Sequence, residues 1–234
     1  MKNKTNFLRF PSLFMGLLLC FAISCDKDDD KDGEKCVDAD GNVYKTAIIG
    51  DQEWMAENLK TTTYNNGTDI SNVTDDDEWE ELATGAYAWH GNDSDNKDVY
   101  GALYNWYAVD TGNLCPDGWR MPTVDDWDQL TEYMGGRSVA GGKLKTTGTI
   151  ELGTGLWHDP NTGATNEANF KALPGGQRDI NGYFDFVGYY GFWWSATEID
   201  TNDAWARYIS NSDNDFDYRD SKKELGFSVR CLRD

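Results

Sequence analysis

The chain is 234 residues long and carries 41 acidic against 21 basic side chains, for a net charge of −20. So acidic a protein repels nucleic acid and anionic lipid headgroups, which leaves neutral glycans, other proteins and cations as the favoured partners. Its length suits one large domain or two small ones, and 24 glycines with 14% aromatic residues argue for a loop-rich β-containing fold over a helical bundle.

Taken in chain order, the first residues carry Lys2, Lys4 and Arg9 and no acid. The apolar stretch from Phe14 to Ile23 is about half the roughly twenty residues of a membrane-spanning helix. A basic start, a short apolar run and small residues at its end describe a secretory signal. Ala22-Ile23-Ser24-Cys25 resembles the lipobox of bacterial lipoproteins, in which the cysteine takes a diacylglycerol and becomes the new N-terminus. The chemistry needs a thiolate, the side-chain nucleophile suited to accepting the lipid. Residues 1–24 therefore read as a signal peptide and Cys25 as the lipidation site; an ordinary signal with a chance cysteine is the alternative. Cleavage removes three positive charges and no acids, taking the net charge from −20 to −23. Residues 25–35 form a charge run that cannot bury itself and read as a solvated tether. Lys27-Asp28-Asp29 and the acids around it resemble the surface-export signal of Bacteroidetes lipoproteins, which implies an outer-membrane, surface-exposed location.

Residues 36–234 contain no proline- or serine-rich linker and read as one domain. Asp40-Gly41-Asn42 is a turn signal, 43–49 reads as a strand, Gly50-Asp51-Gln52 turns again, and 54–59 suggests one helical turn. Asp75-Asp76-Asp77, ahead of Trp79 and Leu82, suits the N-terminus of a short helix, where the dipole favours acids. The strongest helix signal is 123–134. Thr123 caps it, Asp126 completes a capping box, Trp127, Leu130 and Met134 share one face, and Gly135-Gly136 ends it. Turns and short strands follow, with strand candidates at 191–197, 204–210 and 226–232. The last alternates Phe227, Val229 and Cys231 with Ser228, Arg230 and Leu232, the period of a half-buried strand. The fold class on these grounds is α+β, mostly antiparallel, with few helices. Beyond the lipid site, Cys36, Cys115 and Cys231 allow three pairings in an oxidising compartment.

Six ordered segments resemble one family, the Fibrobacter succinogenes major paralogous domain. They are Asp40-Gly41-Asn42-Val43-Tyr44-Lys45-Thr46 with Ile49-Gly50-Asp51-Gln52-Glu53-Trp54-Met55-Ala56-Glu57-Asn58-Leu59-Lys60, and Tyr100-Gly101-Ala102-Leu103-Tyr104-Asn105-Trp106-Tyr107-Ala108-Val109. Leu114-Cys115-Pro116-Asp117-Gly118-Trp119-Arg120-Met121-Pro122-Thr123 with Trp127, and Ala172-Leu173-Pro174-Gly175-Gly176, follow. Trp193-Trp194-Ser195-Ala196-Thr197-Glu198 and Gly226-Phe227-Ser228-Val229-Arg230-Cys231 complete the order. That domain is similar to C-type-lectin-like folds and to the formylglycine-generating-enzyme variant of them. The resemblance implies a twisted antiparallel sheet with one or two helices and long loops, a Cys115–Cys231 disulfide, and a core role for Trp193 and Trp194. It fixes the fold better than the function, because the family is named for its abundance.

Neither His90 nor His158 lies in a metal or nucleophile motif, and no nucleophile elbow, zinc-protease or phosphate-loop motif occurs. Formylglycine-generating relatives use a cysteine pair for copper and oxygen chemistry, and Cys231 has no second cysteine near it in sequence. The reading is therefore a non-enzyme with no catalytic residue, no metal and no cofactor. A binding surface is expected instead at Trp205, Arg207, Tyr208, Asn211, Asp213, Asp215, Phe216, Tyr218 and Arg219. There, aromatic contact area is mixed with short polar groups able to meet a glycan or protein ligand. In C-type-lectin-like proteins this stretch often forms the ligand face, in some cases one diversified by a retroelement. The alternatives are a structural or adhesin-type envelope component and, behind it, a carboxylate-based hydrolase. Asp213, Asp215 and Asp217 alternate as calcium ligands can, without the glycine and closing glutamate of an EF-hand, so calcium is a minor alternative.

Overall fold

The computed structural model describes Met1 and residues 35–234. The expected signal peptide after Met1, Cys25 and the expected tether before Lys35 lie outside the described residues. Among the described residues, no helix is long and apolar enough to cross a membrane.

The domain opens with two hairpins. Strand β1 (Cys36–Val37) pairs with β2 (Val43–Tyr44), and β3 (Thr46–Ile49) with β4 (Gln52–Met55). The first turn is held by Asp38, whose carboxylate accepts from the backbone of Asp40 and Asn42 at 3.0 and 2.9 Å. The second uses Gly50 at φ 63°, the left-handed conformation that a two-residue hairpin loop demands. One sequence expectation fails here. The run at 54–59 begins as strand and not as a helical turn, because that hairpin carries Trp54 and Met55 into the ladder.

Next come β5 (Ser71–Asn72), α1 (Asp76–Glu80) and β6 (Ala86–Trp89), then α2 (Lys97–Tyr100), β7 (Ala102–Tyr104) and α3 (Trp106–Asp110). Helix α1 has the expected acidic N-terminus, with Asp75 as its cap. Strand β8 (Trp119–Arg120) leads into α4 (Val124–Tyr133), where the Thr123–Asp126 capping box is complete. Helix α5 (Arg137–Leu144) was not expected from sequence. Gly141 and Gly142 are weak helix formers, yet they let the helix lie against backbone. A Cβ on Gly141 would stand 2.2 Å from the Asp215 carbonyl, and one on Gly142 2.7 Å from the Gly163 carbonyl.

A small hairpin, β9 (Gln177–Arg178) with β10 (Phe184–Asp185), precedes the largest sheet. That sheet is an antiparallel meander of β11 (Tyr190–Glu198), β12 (Asp203–Ser210) and β13 (Phe216–Lys222). Side chains alternate across it. Phe192, Trp194 and Ala206 enter one apolar cluster, with Tyr104, Trp106, Phe227 and Val229. Trp193, Ile209 and Phe216 enter another, with Trp54, Trp127 and Phe170. Both Trp193 and Trp194 are wholly buried.

The C-terminal run differs from the half-buried strand that its alternation suggested. All of 225–232 is buried, because the segment threads between sheets. It bridges Tyr104 through Phe227, Arg178 through Gly226 and Trp193 through Ser228, and then forms β14 (Leu232–Arg233) between β4 and β8. Cys231 is disulfide-bonded to Cys115, and Cys36 is a buried free thiol. The architecture is thus α+β with several small, mainly antiparallel sheets and five α-helices among the described residues. The single twisted sheet with one or two helices was too simple an expectation.

Candidate functional site

One face of the β11–β13 meander carries an open aromatic trough of about 410 Å³, bordered by Phe186, Tyr190, Phe192, Tyr208, Tyr218 and Arg219. Tyr190 and Phe192 sit two residues apart on β11, so their rings stack along one face at 5.6 Å. Phe192 stacks in turn on Phe227 at 5.0 Å, which anchors the floor to the core. Tyr208 lies opposite Phe192 in register. Phe186 meets Tyr190 edge-on at 5.3 Å and remains 46% exposed.

The Phe186 rim is held in place from several sides. Its φ is 64°, a region in which a bulky side chain is rare and which usually marks a constrained or functional position. The carbonyl of Phe186 accepts from Tyr189 and Tyr190, both at 3.0 Å. Gly188 donates to the Pro174 carbonyl, His158 donates its backbone N–H to Gly188, and the His158 ring stacks on Tyr189 at 4.2 Å. The Glu151 carboxylate pairs with His158 Nδ1 at 2.6 Å.

Polar groups line the same face. Arg219 lies over Phe192 and donates to Gln177 Oε1 at 3.3 Å. Burial lowers its pKa from the usual arginine value. Asp217 is paired with Arg137, and the Tyr208 hydroxyl reaches Asp217 at 3.4 Å. Burial, followed by the Asp217 charge, raises the Tyr208 pKa.

The structure divides the nine expected binding residues. Tyr208 and Arg219 share the trough, and Tyr218 borders it. Trp205 and Tyr218 meet edge-on at 5.5 Å and line a second hollow, of about 310 Å³, with Val124 and Asp128. Three of the nine are buried. Phe216 is wholly buried 5.7 Å from Trp127, since its alternate position turns it towards α4. Arg207 is buried and paired with Asp128. Asn211 is buried, donating to the Asp159 carbonyl at 2.7 Å. Asp213 and Asp215 lie in the turn before β13, where the Asp213 carboxylate accepts from the Asp215 backbone at 3.0 Å.

The calcium spacing finds no common centre. Asp213 caps its own turn and Asp217 faces Arg137. The Lys145 ammonium already takes the Ser210 and Asp213 carbonyls at 2.9 and 2.8 Å. Among the described residues, no group of three or more His, Cys, Asp or Glu side chains is placed to hold a metal ion.

Sequence reasoning missed Phe186, Tyr190 and Phe192. The signal available was density: Tyr183, Phe184, Phe186, Tyr189, Tyr190, Phe192 and two tryptophans fall within twelve positions, punctuated by Gly188 and Gly191.

In a comparison with protein families, residues 48–233 match the Fibrobacter succinogenes major domain. No curated protein and no solved structure matches the chain.

Proposed function

The chain belongs to the Fibrobacter succinogenes major domain family, and from that footing we propose that it is a lipid-anchored envelope protein whose domain binds a glycan through the aromatic trough. The observation that carries this reading is the braced aromatic rim of exposed Phe186 and half-buried Tyr190 beside the polar edge of Arg219. Flat rings offer stacking area to the C–H faces of a sugar, and a few placed polar groups orient it. A C-type-lectin-like arrangement of the domain, with a lipid carried on Cys25, would suit this role. Any diversification of the 205–219 segment would have to spare Arg207, Asn211 and Phe216, which are buried.

A glycan array probed with the full chain tests the reading. Phe186→Ala combined with Tyr190→Ala should weaken binding at least tenfold while leaving the circular dichroism spectrum unchanged; undiminished binding would remove the trough from the mechanism. Cys25→Ala should abolish fatty-acid labelling, and protease shaving of intact cells should release the domain if it faces outward.

A second reading, docking against another envelope protein, is supported by Ile48 and Tyr133, which are 79% and 66% exposed beside one hollow. Crosslinking that captures a partner through Ile48 but leaves the trough free would favour it.

A further inference from the structure

Five of the seven arginines among the described residues hold a carboxylate: Arg120 with Asp126, Arg137 with Asp217, Arg178 with Asp76, Arg207 with Asp128 and Arg233 with Glu53. Arg230, in the core, places its donors on four neutral oxygens. Arg219 does neither. Its guanidinium lies 5.4 Å over Phe192 and 5.8 Å over Phe227, and its one hydrogen bond is the 3.3 Å contact to Gln177. A guanidinium carries five N–H donors in a planar fork. One contact to Gln177 uses one of those donors, and the others belong to a side chain that borders the trough. The chain has 41 acids to 21 bases, yet at this position the neighbouring acid, Asp217, is turned to Arg137 instead.

A half-buried guanidinium with free donors matches a planar anion bound two-pronged. The rings of Phe186, Tyr190 and Tyr208 match the flat face of a sugar. We propose that the trough takes a saccharide bearing an isolated uronate carboxylate, and that Arg219 reads that carboxylate. The proposal rests on the trough being the ligand face. Net charge narrows it further: at −20 the protein repels a polyuronate as a whole, whereas one carboxylate among neutral sugars meets Arg219 at small long-range cost.

The experiment is calorimetric titration of the full chain, in detergent, with a glucose disaccharide and with the same disaccharide oxidised to the carboxylate at its terminal C6. The native chain should prefer the oxidised sugar by roughly ten- to a hundredfold, the range of a charge-assisted hydrogen-bond pair. Arg219→Gln should erase that preference, so that the oxidised and the neutral sugar bind with equal affinity. Arg219→Lys, which keeps the charge and the packed stem, should retain only part of it, and thermal melts would establish that both variants are folded. Equal binding of the two sugars, weakened by Phe186→Ala but not by Arg219→Gln, would overturn the proposal while leaving the trough reading intact. Indifference to both substitutions would overturn the two together. Tighter binding of an acidic tetrapeptide than of the oxidised sugar would also overturn it, in favour of a peptide ligand.

Discussion

Arg230 illustrates how a cation enters the core of this acidic chain without a carboxylate. It donates to Asn58 Oδ1 at 2.6 Å and to the carbonyls of Met55, Phe170 and Lys171, with the Phe170 ring 4.6 Å from its centre. Burial pushes its pKa down to about 9, still above neutral pH, so the group is charged where it sits. Arg230→Met would leave those acceptors unpaired in the interior. We expect a loss of about 3 kcal/mol or more, measured by urea unfolding, since each orphaned buried acceptor costs about 1–3 kcal/mol. Asp126 supplies a pH test. Partial burial raises its pKa, but hydrogen bonds from Arg120 and Thr123 outweigh that and hold it at about 2, below its usual 3.8. A depressed carboxylate pKa stabilises the folded state above the unfolded value. Its contribution is therefore complete above about pH 4 and lost as the pH falls through about 2. Asp126→Asn should cost about 1 kcal/mol at neutral pH through the cap, and its unfolding free energy should fall less steeply than the native protein's across that acid window.

Among the elements, α5 is where a local rule and its setting conflict. Alanine in place of a helical glycine ordinarily gains about 1 kcal/mol. Gly141→Ala should instead lower the melting temperature, because the added methyl would meet the Asp215 carbonyl at 2.2 Å; a rise in melting temperature would show that the α5–β13 contact can relax. The same conflict explains what the sequence could and could not reveal. Helix α4 was readable because cap, apolar face and terminating glycines all agree, and β11 and β12 because long apolar runs sit between turns. Helix α5 was not, since its glycines answer to a neighbouring backbone that no local pattern contains. The run at 226–232 has a strand's alternation, but its Ser228 and Arg230 face buried partners and not water. The binding surface was half legible for a related reason. Residues 205–219 are contiguous, but strand alternation sends Tyr208 and Arg219 to one face and Arg207 and Phe216 to the other. The remaining wall of the trough comes from Phe186 and β11, brought alongside by the meander.

At the scale of the whole molecule, the Cys115–Cys231 bond joins positions 116 residues apart. Closing so long a loop restricts the unfolded chain, and a native disulfide of this kind contributes roughly 2–5 kcal/mol. Reduction, or paired replacement of both cysteines by alanine, should lower the unfolding free energy by that amount in denaturant titration. Cys36 should not substitute as a partner, because burial, with the Asp38 charge behind it, raises its thiol pKa to about 12. The position of Cys231 has a consequence for how the protein is made. Synthesis delivers the chain from its N-terminus, yet the Arg230 guanidinium must reach the Met55 carbonyl 175 residues earlier, and Phe227, Val229 and Cys231 are all wholly buried. Until residues 225–232 have been made, neither apolar cluster has its full set of side chains, since Phe227, Val229 and Cys231 belong to one and Leu232 to the other. A chain cut before Gly226 should therefore show no cooperative unfolding transition, whatever secondary structure its earlier residues form.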